Sequence, residues 1–80
     1  MSIKYFIAAK VEKFPEPLSG TVEQAIAHNH SGRVKCLGSS WPAKFYQPDC
    51  LTTVVPNQPV SIVAMQGITL LVMPEDDLRK

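Results

Sequence analysis

The sequence has no marked excess of charge of either sign: eight basic residues stand against seven acidic ones, for a formal charge of +1. Nucleic-acid modules draw much of their affinity from neutralising phosphates and usually carry a clear basic surplus. That signature is missing. Long apolar runs are missing too, since nothing approaches the ~18–20 residues that cross a bilayer. The opening Met1–Phe14 is interrupted by Lys4, Lys10, Glu12 and Lys13, which makes it too polar for a signal-peptide core. Cysteine is scarce: Cys36 and Cys50 do not make the framework that small secreted domains need, and they read as free thiols in a reducing compartment. No Cys-x-x-Cys occurs, and the spacing of His28, His30, Cys36 and Cys50 fits no zinc motif, so neither a metal nor a cofactor is expected. No histidine is fixed beside a nucleophile by a recognisable motif, and the serines fall in turns. No catalytic residue is assigned, and the chain is read as a non-enzyme.

What is present is enough for one domain. A chain of 80 residues buries only about 60–65% of its unfolded surface, which leaves a thin core and no room for a deep cleft between lobes. Hydrophobic residues make up 45% and charged residues 19%, the balance of a folded protein rather than a disordered segment.

Residues 1–19 read as an N-terminal amphipathic segment and linker. At helical spacing Ile3, Phe6, Ile7, Val11 and Phe14 share a face, which predicts a short helix or arm. Pro15 and Pro17 should end it. From Gly20 the chain changes character, with short β-branched runs separated by turn signals. Strands are predicted over Thr21–Ala27, Arg33–Leu37, Trp41–Tyr46, Val60–Met65 and Ile68–Met73. A polar turn at His28–Gly32, a turn at Gly38–Ser40 and a longer connection over 47–57 separate them. The fold class is therefore all-β, five strands over residues 20–74 in a sandwich or small barrel, and the family resemblance described below makes it a five-stranded OB-type barrel. Glu75–Lys80 forms a charged tail.

The last two strands say most. With Gln66-Gly67 as a two-residue turn, Met65 faces Ile68, Val63 faces Leu70 and Ser61 faces Val72. Both faces of this hairpin are then mostly apolar, whereas a sheet wet on one side alternates. Val63, Met65, Leu71 and Met73 are expected to lie under a cover. The N-terminal segment, a second copy of the chain in a homodimer, or a partner would supply it. The N-terminal segment has a competing use, lying on a membrane surface with its lysines outward.

The runs Ser31–Val34, Gly38–Ala43, Pro56–Val63 and Gly67–Val72 resemble the C-terminal domain of NfeD-like proteins. That family's pattern is Gly-x-Val, a glycine followed by Trp-x-Ala, Gly-x-x-Val-x-Val and Gly-x-x-Leu-x-Val. Asn57 stands where glycine is usual, and His28-Asn29-His30 replaces a shorter segment. The resemblance implies an OB barrel that mediates protein–protein contact, often tethered to a membrane by preceding helices and in longer relatives preceded by a serine-protease domain. It also implies a stomatin-like membrane scaffold as partner. Neither the helices nor the protease is seen here, so the chain reads as either a soluble relative or the soluble part of something larger. It is expected to be cytoplasmic, peripheral to the membrane, and a monomer or homodimer.

An interaction surface is expected on Trp41, Phe45 and Tyr46 with Arg33, Lys35 and Lys44 on neighbouring strands. The same aromatic and basic set offers the alternative function, single-stranded nucleic-acid binding by stacking and phosphate contact.

Overall fold

The computed structural model describes residues 10–75. Two tight turns organise the sheet. Leu37 and Gly38 both have positive φ (53° and 81°), the sign pattern of a type I′ turn, and they join β2 (Gly32–Cys36) to β3 (Ser39–Phe45). Gly67 has φ 62° while Ile68 does not take a positive value, the pattern of a type II′ turn, and this pair joins β4 (Pro59–Gln66) to β5 (Thr69–Pro74). The long first strand, β1 (Val11–Gln24), completes the set.

These five strands close in the order β1-β2-β3-β5-β4, with β4 returning to β1. All neighbours are antiparallel except β3 and β5, which run parallel with Ala43 beside Leu70 and Phe45 beside Val72. The five-stranded barrel expected from the sequence is thus present. Its interior is filled by branched aliphatic side chains: Val22, Val34, Val60, Ile62 and Val72 are almost wholly shielded from solvent. Ile26 and Val54 plug one end, tied by reciprocal backbone bonds of 3.0 and 2.9 Å. Asn57, at φ 76°, holds the left-handed position usual for glycine, and its N–H donates to the Val22 carbonyl at 2.8 Å.

Three expectations need correction. The amphipathic helix falls mainly on residues 1–9, outside the described residues. Val11–Phe14, however, is strand, and so are the proline-rich residues that were expected to form a linker. Proline is tolerated there because the β1–β4 ladder skips from Lys13↔Ala64 to Leu18↔Ile62. Pro15 and Pro17 sit in that interruption, where no regular ladder donor is required. The strand also ends at Gln24 rather than Ala27, because Ile26 turns away to bridge Val54. Finally, the last turn is Gly67-Ile68 rather than Gln66-Gly67. Met65 therefore pairs with Leu70, Ala64 with Leu71 and Ser61 with Met73, and Val63 is the extra residue of a bulge. A type II′ turn wants glycine first, and that preference moves the turn by one residue, which takes the partner of Met65 from Ile68 to Leu70.

Gly32 marks a close approach between β2 and the end of β1. A Cβ at Gly32 would collide with the carbonyl oxygens of Gln24 and Ala25, backbone atoms that cannot rotate away. Gly32→Ala is expected to destabilise the barrel by roughly 3 kcal/mol and to lower the melting temperature by about 15 °C. Circular-dichroism melts of the two proteins measure this directly. Leu37 presents the opposite case. A leucine in the left-handed region costs about 1–2 kcal/mol, and here its side chain is 87% exposed and gains no packing in return. Leu37→Asn should raise stability by about 1 kcal/mol, read as a rightward shift of the urea midpoint with an unchanged slope.

Candidate interaction surface

Alternation along β3 decides what its aromatic residues can do. Ala43 and Phe45 are buried in the barrel, and Trp41 packs half-buried against the same core. Lys44 points outward and is exposed. Two of the three aromatics proposed as an interaction platform therefore spend their faces on the core. The basic residues do share the outer surface of β2 and β3. Arg33 is nevertheless committed, its Nε donating to Ser40 Oγ at 2.8 Å and a terminal nitrogen to the Ser40 carbonyl at 3.1 Å. Lys35, opposite Ser40, is exposed. With Tyr46 the one aromatic of the three left outside, the lysines lack the row of stacking rings that a single-strand platform uses.

The outer surface that continues from β3 across β5, β4 and β1 carries a different pattern. Register places Lys13, Ala64, Leu71 and Lys44 side by side across β1, β4, β5 and β3. Phe14 packs on the core, so its neighbour Lys13 turns outward. The two central residues of this row are buried although they face away from the core cluster, with Ala64 at 0% and Leu71 at 3% exposure. Part of their shielding is visible. Tyr46 follows β3, and its N–H donates to the Val72 carbonyl at 2.8 Å, which fixes it beside β5. The Lys13 ammonium sits 5.6 Å above the centre of the Tyr46 ring. Because β4 and β5 lie between the two residues, the lysine stem and the ring meet across the outer face of both strands. Long aliphatic stems commonly cover apolar surface in this way while the charge stays wet.

Of the residues expected under a cover, Leu71 is buried, while Val63, Met65 and Met73 are half-buried. They do not form one face. Met65 packs on the core opposite Leu70, whereas Leu71 and Met73 pair with Ala64 and Ser61 on the outside.

A groove of about 440 Å³ begins at this row. Val11, Leu71, Lys44 and Tyr46 line one side, and the turn from His28 to Ser31 lines the other. Asn29 at φ 57° shapes that turn, with Ala27 and His30 exchanging backbone hydrogen bonds of 3.0 and 2.9 Å. Sequence reasoning found Lys44 and Tyr46 but not Val11 or Lys13, because the prolines seemed to cut β1 short of them. The turn histidines were read as a surface feature, and nothing local revealed that they face β3 across a groove. Among the described residues no cluster of three or more His, Cys, Asp or Glu is arranged to hold a metal. None of the described helices is long and apolar enough to cross a membrane.

Tyr46→Ala removes the ring over this outer row and is expected to cost about 1–2 kcal/mol, less than a fully buried aromatic. Lys35→Ala, on the other wall, should stay within about 0.5 kcal/mol of the parent. Chemical denaturation of the two variants side by side checks the contrast.

Comparison with known proteins places this geometry. A family described as the NfeD-like C-terminal, partner-binding domain matches residues 18–74. Among solved structures, the chain is similar to the soluble domain of a membrane protein implicated in regulation of membrane protease activity from Corynebacterium glutamicum. The identity is 28% and the TM-score 0.65, over 75% of this chain and 90% of that one. No curated protein matches.

Proposed function

We propose that this chain, which belongs to the NfeD-like C-terminal, partner-binding domain family, is a non-catalytic protein-interaction module whose partner is a stomatin-like membrane scaffold. The observation that carries this reading is the extent of the match. Residues 18–74 include β2 to β5 and the part of β1 that pairs with β2, so the partner-binding description applies to the folded barrel itself. The relative from Corynebacterium glutamicum adds a membrane context, being the soluble domain of a membrane protein. On that analogy the module works at a membrane surface and is peripheral to it; the cytoplasmic side is the one expected from its sequence. Single-stranded nucleic-acid binding is the weaker reading, since Trp41 and Phe45 turn inward and the net charge is only +1.

Two titrations separate these readings. A purified stomatin-like scaffold should bind the immobilised chain saturably at physiological salt. A labelled single-stranded DNA or RNA should not bind it even at low salt. A scaffold that fails to bind, combined with oligonucleotide binding that weakens steeply as salt rises, would overturn the proposal.

A further inference from the structure

The groove between the outer row and the His28–Ser31 turn has a composition that selects its occupant. Among the described residues, none of its lining groups is a carboxylate, and the flanking Glu12 and Asp49 are exposed and do not line it. Lys44 lines it, and the Lys13 ammonium stands near by, 5.6 Å from the centre of the Tyr46 ring. Neither lysine is paired with a carboxylate among the described residues, in contrast to Arg33, whose donors are taken by Ser40. Beside this charge the lining mixes neutral polar groups, Asn29, Ser31, Gln47 and Gln66 among them, with an apolar strip. Leu71, buried on the outer face, and Val11, 47% exposed, supply that strip. A lysine with no carboxylate partner among the described residues, next to an apolar strip, favours a ligand that presents a negative charge beside an apolar side chain. The volume falls within the roughly 300–1,000 Å³ of recognised binding pockets, enough for a few side chains of a peptide and not for a folded surface.

We infer that this groove docks an extended acidic–apolar segment of the partner, with a carboxylate against Lys44 and an aliphatic or aromatic side chain over Leu71 and Tyr46. The inference rests on the partner-binding reading and adds the chemistry of the segment bound.

Panning a display library of random twelve-residue peptides on the full chain tests this, followed by anisotropy titrations with the enriched peptides. The expected result is enrichment of sequences with Asp or Glu next to a large apolar residue. Their affinity should fall about tenfold or more with Lys44→Glu, and fall again when the peptide's carboxylates are replaced by amides. Lys35→Glu should leave it within about twofold. Both lysines are exposed, and circular dichroism verifies that both variants fold. Enrichment of uncharged or basic peptides, indifference to Lys44→Glu, or no enrichment at all would overturn the assignment. So would single-stranded DNA whose binding depends on Lys44 while peptides do not bind. Titrating the intact scaffold against Lys44→Glu keeps the two levels apart. A scaffold that binds parent and variant equally rejects the groove and leaves the partner-binding function standing. A scaffold that binds neither rejects the function.

Discussion

The pairing of β1 with β4 is the constraint on which this barrel depends. It joins Val11 to Gln66 and Thr21 to Pro59, and it is the seam where the sheet meets itself. One strand must run along the whole length of its partner while bending around a closed surface. The break between Lys13 and Leu18, set against the single extra residue Val63 on β4, supplies the bend. Bulges commonly perform this task in barrels, at a local cost in ladder hydrogen bonds. The two prolines fit because they stand where those bonds are already given up.

That seam also accounts for the outer surface. By holding the first residues of β1 against the far end of β4, it brings Lys13 into line with Ala64, Leu71 and Lys44. The apolar character on both sides of the last hairpin follows from this arrangement. One side faces the barrel, and the other lies beneath a lysine stem and a tyrosine ring. The burial of Ala64 and Leu71 is a property of four strands in register, not of the hairpin alone.

How much of this could be read from the residues varies with how local the cause is. β2 to β5 were legible to within a residue or two because their side chains alternate and their ends carry turn residues. The inward set Trp41, Ala43 and Phe45 follows from alternation alone. The turn of the last hairpin was misplaced by one residue, since Gln66-Gly67 and Gly67-Ile68 are both acceptable turns and only the glycine-first preference separates them. The start of β1 was missed for a different reason: proline ends a strand only where its missing donor is needed, and that need is set by the partner strand. The groove was illegible because its two banks, near residues 11 and 28, are brought together by the parallel contact of β3 and β5. No local pattern encodes that contact, and the OB-type expectation reached it only through strand count and resemblance.

The position of β5 has a consequence for the order of assembly. It lies between β3 and β4 and is the last strand of the barrel to be synthesised. Until it arrives, β3 has one free edge and β4 another, and those are the edges that will close the sheet. A growing chain would thus hold the β3 border open while the ribosome completes about thirty residues beyond it, a span of seconds at about 5–20 residues per second, and the β4 border joins it for the last of them. Exposed borders of this kind recruit other strands readily. The proline-rich connection and lysine-bearing strands beside them are suited to keep neighbours away during that interval.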